Sequence, residues 1–162
     1  MQEKKTIDEE VMGSLIEAVT NGGTLKDILN VSKDTMDSMY AYAYEFYHQG
    51  KLDEAEKFFE FLCMYDLHNA DYFLGLGAVY QLKKQYEKAC DFYALSFALA
   101  TNDYNAVFYT GQCQMLLNNI PRAMKCFRLV AEKSKNESIV TRSTVYLESI
   151  TTIIEKQDQD PI

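Results

Sequence analysis

The feature that most constrains this chain is a pattern that repeats every 34 residues. Alanine recurs at this interval, and an aromatic residue follows each alanine one helical turn later on the same face. These residues are Ala55, Ala89 and Ala123, followed by Phe59, Tyr93 and Phe127. Another set of small residues and a set of turn positions keep the same interval; they are Ala43, Gly77 and Gly111, and Gly50, Lys84 and Asn118. The period indicates one helix–turn–helix unit per repeat.

The small residues predict where the two helices of each unit cross. Two helix backbones approach closely only where the side chains between them are small, and the neighbouring aromatic ring fills the remaining space. The pattern resembles the tetratricopeptide repeat, which implies an all-α solenoid. We expect four segments: an N-terminal helical segment over 1–35, three repeats over 36–135, a capping helix over 136–156 and a disordered tail over 157–162. The repeats lack the usual terminal proline, since Leu67, Thr101 and Lys135 stand there.

Local signals predict where the helices begin and end. Gly22 and Gly23 are typical of a helix C-cap, and Thr24 with Asp27 forms a capping-box pattern. Ser32 can cap the first long helix, and Pro121 suits a first helical turn. We expect helices over 8–20, 24–30, 33–49, 53–65, 70–83, 86–100, 104–117, 121–133 and 137–155.

Composition limits the classes of partner and site. The net charge of −8 disfavours nucleic acid and anionic membranes as partners. The chain has neither a membrane-spanning apolar run nor a signal-like N-terminus, so we expect a cytoplasmic protein. Its cysteines (Cys63, Cys90, Cys113 and Cys126) form no C-x-x-C pair, and His48 and His68 stand apart from them. The sequence therefore predicts neither an enzyme nor a metal or cofactor site.

The first helix of repeat one is rich in aromatic residues. We expect Met39, Tyr42, Ala43 and Phe46 to pack in the core, which leaves three tyrosines on another face. With their equivalents in the later repeats these form a predicted peptide-binding groove of Tyr40, Tyr44, Tyr47, Leu74, Ala78, Gln81, Phe108, Gln112 and Met115. An apolar surface of this size implies a bound ligand. Alternatively, the N-terminal helices of the same chain cover the tyrosines.

The groove positions carry no Lys or Arg. They cannot form the cationic clamp with which some such repeats bind a C-terminal carboxylate. An extended segment with spaced apolar side chains fits this face better.

A second apolar stripe lies in the N-terminal segment and consists of Met12, Leu15, Ile16 and Val19. It exceeds what one short helix must bury against its own domain. We expect it to pair two chains into a homodimer. The alternative is that the stripe packs against repeat one of the same chain.

Several stretches resemble one family, the class II chaperones of bacterial type III secretion, which serve hydrophobic translocator proteins. The resemblance covers about residues 8–153 and is carried by 23–27 (GTLKD), 42–47 (YAYEFY), 61–66 (FLCMYD) and 111–114 (GQCQ). It implies a chaperone that holds an extended translocator segment in its groove until export, with Tyr40, Tyr44 and Tyr47 carrying the binding.

The same resemblance implies self-association through the N-terminal region and, for some members, co-activation of an AraC-type transcription factor. Two other functions stay open at this point. One is a generic repeat adaptor for folded proteins, and the other is a gene regulator acting through such a transcription factor.

Overall fold

The computed structural model describes Glu17, Thr20 and residues 21–159. Its described elements are all helical; they are α1 (Leu25–Ile28), α2 (Lys33–His48), α3 (Leu52–Tyr65), α4 (Ala70–Leu82), α5 (Tyr86–Leu99), α6 (Asn105–Leu116), α7 (Ile120–Lys133) and α8 (Glu137–Gln159). The predicted all-α class is confirmed. Within this part of the chain, no helix combines the length and the apolar character needed to cross a bilayer.

The helices form an antiparallel stack in which each long helix packs mainly on its neighbours in the chain. The repeats pair α2 with α3, α4 with α5, and α6 with α7. The first helices of successive repeats also touch, as α2 does with α4, and α8 packs on α7 while also contacting α6. At the other end, α1 packs on α3, where Lys26 and the buried Asp66 form an ion pair.

The small residues occupy the helix crossings, as predicted. Ala43, Ala55, Ala89 and Ala123 are fully buried. A Cβ atom placed on Gly77 would lie 2.6 Å from the ring of Tyr93, and one on Gly111 would lie 2.7 Å from the ring of Phe127. The aromatic side chain of the second helix therefore packs directly against the backbone of the first.

The turns between paired helices share one conformation. Gly50, Lys84 and Asn118 have φ angles of 72°, 60° and 57° and each ends the first helix of a repeat. The following residue then closes a Schellman-type hydrogen bond, as when Lys51 N donates to the Phe46 carbonyl at 2.9 Å. The predicted N-caps are also present, since Thr24 N donates to Asp27 Oδ2 and Thr35 N donates to Ser32 Oγ.

Two local predictions are wrong. Tyr42 is 54% exposed rather than a core residue, because it lies beside the Met39, Ala43 and Phe46 stripe; its ring centroid lies 6.3 Å from that of Phe58. The helix that we expected to end at residue 155 continues to Gln159, into the segment predicted to be disordered. No glycine or proline interrupts 137–159, so nothing in the backbone stops the helix earlier.

Candidate functional site

A cavity of about 350 Å³ opens on the face formed by α2, α4 and α6. Its lining contains no charged side chain and is mainly aromatic and aliphatic. The lining residues are Tyr44, Tyr47, Phe59, Leu74, Gly75, Ala78, Gln81, Leu82, Tyr93, Tyr109 and Gln112. A pocket with apolar walls and a few amide and hydroxyl groups suits an apolar side chain attached to a hydrogen-bonding main chain.

Small residues of α4 create this pocket. In repeat two, Leu74 and Ala78 occupy the positions that Tyr40 and Tyr44 hold in repeat one, and Gly75 lies beside them. A Cβ atom on Gly75 would lie 2.1 Å from Cε1 of Phe59, so this position must be glycine for that ring to lie where it does. The rings of Phe59 from α3 and Tyr93 from α5 therefore form the pocket floor, because the small residues of α4 do not cover them.

Tyrosines of α2 form one wall. Tyr44 and Tyr47 are half-buried and their ring centroids are 6.4 Å apart. Tyr44 also meets the edge of Phe59 at 5.6 Å. Burial raises the pKa of the Tyr47 phenol, so this hydroxyl stays neutral and keeps its proton for donation.

Most of the predicted groove residues lie together. Six of them line the cavity: Tyr44, Tyr47, Leu74, Ala78, Gln81 and Gln112. Tyr40 lies next to it, with its ring 4.9 Å from that of Tyr44 and 5.4 Å from that of Tyr72. Met115 packs instead, half-buried, against the core formed by α6, α7 and α8.

The prediction that Phe108 lines the groove is wrong, because its side chain is fully buried. The closing helix α8 covers it: the ring of Tyr146 lies 6.0 Å away, and the Arg142 guanidinium lies 4.5 Å from the Phe108 centroid. Arg142 and Tyr146 extend the 34-residue register of Phe108 and Gln112, so α8 packs as a further first helix. The exclusion of cations from this face is therefore incomplete at its α8 end.

Five lining residues were missed by sequence reasoning. Phe59 and Tyr93 were identified as packing aromatics, but their rings also form the pocket floor. Gly75 and Tyr109 occupy the same register position in successive repeats, and the change from glycine to tyrosine was the available signal. No sequence signal pointed to Leu82, because it stands at the end of α4.

The predicted dimerisation stripe, Met12, Leu15, Ile16 and Val19, lies outside the described residues. So do most of the N-terminal residues that could cover the tyrosines. In the described part of the chain, His, Cys, Asp and Glu form no group of three that could hold a metal ion.

Comparison with known proteins supports the repeat assignment. The Tetratricopeptide repeat family model matches residues 36–69 and 70–103. The third helix pair, α6 and α7, follows the same register in the structure.

One curated relative matches over nearly its full length. The chaperone protein SicA of Salmonella typhimurium is 50% identical, over 99% of this chain and 98% of that protein. A type III secretion complex from Aeromonas hydrophila contains a chain that is 31% identical with a TM-score of 0.80, covering 91% of this chain and 99% of that one.

Two further solved structures concern translocator chaperones. PcrH, in complex with the chaperone-binding region of PopD, is 33% identical with a TM-score of 0.71, covering 75% of this chain and 95% of PcrH. The type III secretion translocator chaperone SycD of Yersinia enterocolitica, solved as an alternative dimer, is 29% identical with a TM-score of 0.71, covering 77% and 98%. With these likenesses and the repeat architecture, the chain belongs to the tetratricopeptide-repeat translocator chaperones of type III secretion.

Proposed function

We propose that this protein is a cytoplasmic chaperone that binds an extended segment of hydrophobic translocator proteins and keeps them soluble before export. The observation that carries the proposal is the uncharged, aromatic-walled pocket on the face of α2, α4 and α6. The chain belongs to a family in which one member, PcrH, has been solved with the chaperone-binding region of the translocator PopD.

The pocket explains how such a chaperone holds its cargo. An apolar side chain of the cargo enters between Tyr47, Leu74 and Ala78, where its burial contributes roughly 1.5–3 kcal/mol. Main-chain groups stay near the rim, within reach of hydroxyl and amide groups. The role is binding rather than chemistry, and the negative net charge of the chain helps to keep the complex in solution.

Filling the pocket tests this function. Ala78→Gln places in repeat two the residue that repeat three carries at the same register position, Gln112, so the backbone tolerates it. The longer side chain occupies the cavity without removing a core contact. We expect binding of a translocator peptide to weaken at least tenfold, while the melting temperature stays within about 2 °C of wild type.

The measurement is isothermal titration with the tightest-binding peptide from an overlapping array. That array covers the translocators secreted by the organism's own type III system. Ala94→Gln makes the same change on the exposed face of α5 and serves as the matched control. Equal affinity for wild type and Ala78→Gln, or a wild type that binds no array peptide, would show that this pocket does not hold translocators.

A further inference from the structure

A chain of polar side chains crosses the pocket and ends on α8. The Tyr93 hydroxyl donates to Gln81 Oε1 at 2.7 Å, and Gln81 Nε2 donates to Gln112 Oε1 at 3.4 Å. Gln112 Nε2 then donates to the Tyr146 hydroxyl at 3.0 Å. Both glutamines line the cavity and are half-buried.

These bonds leave each carboxamide half used. A glutamine side chain offers two N–H donors and a carbonyl oxygen with two lone pairs. Within the described chain, each amide of the glutamine pair, Gln81 and Gln112, spends one N–H and one lone pair on the bonds above. One donor and one acceptor on each amide therefore remain available at the pocket surface.

The free donor and acceptor of each glutamine amide complement the hydrogen-bonding groups of a peptide main chain. A residue in an extended segment presents its own N–H and C=O toward the same side, as edge strands do when they pair. A carboxamide with one free donor and one free acceptor can bond both groups at once. The other polar groups of the lining are the hydroxyls of Tyr44, Tyr47, Tyr93 and Tyr109, and no charge competes for these bonds.

The orientation of the pair is fixed before any ligand arrives. Tyr93 is 1% exposed, and burial holds the pKa of its phenol above the usual range, so its proton is available to Gln81. Tyr146 stacks on Phe127 with centroids 4.7 Å apart and planes 6° apart, which fixes the hydroxyl that meets Gln112. Preorganised donors lose less entropy on binding than free side chains do.

We propose that Gln81 and Gln112 bind the main chain of the cargo segment and set its register beside the apolar pocket. This inference rests on the proposed chaperone function. It assigns sequence-independent affinity to the glutamine pair and side-chain selectivity to the apolar lining, so that cargo segments of different sequence bind in the same register.

Backbone esters test the inference without changing any side chain. The tightest-binding array peptide is synthesised with one amide at a time replaced by an ester, which removes that N–H donor. We expect one position, or two positions separated by a single residue, to lose roughly three- to tenfold in affinity for wild type, because alternate residues of an extended segment face the same side. At one of these positions, Gln112→Leu or Gln81→Leu should bind ester and parent peptides equally.

Two further variants keep the test decisive. Tyr146→Phe keeps the stacked ring but removes the hydroxyl that orients Gln112, so it should weaken the parent peptide by a smaller factor without unfolding. Gln49→Leu, at the exposed end of α2, is the matched control and should bind as wild type does.

The outcomes separate this inference from the chaperone function itself. If wild type binds the parent peptide but no ester position couples to either glutamine, the pair only joins repeats two and three and the inference fails. If wild type binds no array peptide, the proposed function and the inference fail together.

Discussion

At the scale of single residues, the local environment gives the cysteines of this chain different thiol pKa values. Cys90 is half-buried, and its pKa is lowered below the usual value, first because the Cys113 thiol donates to its sulfur. Gln114 Nε2 adds a second bond at 3.4 Å. Burial instead raises the pKa of Cys63 to about 12 and that of Cys126 above its usual range. Thiolate character is therefore concentrated at one position on α5.

We expect Cys90 to react with iodoacetamide faster than the other cysteines. Because its folded pKa is lowered, its alkylation should become fast at a lower pH than that of the other cysteines, which stay slow at neutral pH. Peptide mapping by mass spectrometry at several pH values measures the four rates. Cys90→Ser should abolish the fast reaction, and preferential labelling of Cys63 or Cys126 would contradict the assignment.

At the scale of elements, the closing helix α8 contains one unsatisfied buried group. Ser143 is fully buried, and its Oγ has no hydrogen-bond partner in the described chain. Other hydroxyls of α8 bond to the carbonyl four residues earlier, as Ser149 Oγ does with that of Val145 at 2.8 Å. A buried hydroxyl without a partner keeps its desolvation cost, so α8 is less stable on α7 than its packing allows.

Ser143→Ala should increase the free energy of unfolding by about 1 kcal/mol, because it removes an unpaired polar atom and favours helix. Urea denaturation followed by circular dichroism measures the change. Ser149→Ala, on the exposed side of the same helix, is the matched control and isolates the burial effect. A loss of stability for Ser143→Ala would show that the hydroxyl has a partner in solution.

The sequence predicted the repeats well because spacing encodes them. Small residues that recur at this interval, such as Ala89 and Gly77, predict helix crossings, and the structure confirms both positions. Phe108 could not be placed in this way, because its burial depends on α8 returning over it. The prediction that Tyr42 packs in the core is wrong for a similar reason, because the neighbouring helix determines which edge of an apolar stripe is covered.

At the scale of the whole molecule, one prediction concerns assembly. The stripe of Met12, Leu15, Ile16 and Val19 is more apolar than a short solvent-exposed helix requires. We propose that it pairs two chains through a self-complementary contact, as closed homo-oligomers commonly do. The related chaperone SycD has been solved as a dimer.

Leu15→Asp together with Ile16→Asp should convert the protein to a monomer by placing charge on that stripe. Sedimentation velocity across micromolar concentrations measures the change. The variant should still bind the translocator peptide, since the pocket residues lie elsewhere in the chain. If wild type also sediments as a monomer, the stripe packs within one chain.

The contacts between neighbouring helices also bear on the order in which the protein folds during synthesis. Each helix packs mainly on its chain neighbours, so the stack can grow from its N-terminal end as the polypeptide leaves the ribosome. The pocket is completed only after α6 has emerged, because Tyr44, Tyr93 and Gln112 come from three repeats, and Gln112 gains its hydrogen bond to Tyr146 only after α8 has emerged. A nascent chaperone can therefore pack its first helices before its binding site is complete, and the glutamine pair is fully oriented only when α8 has emerged.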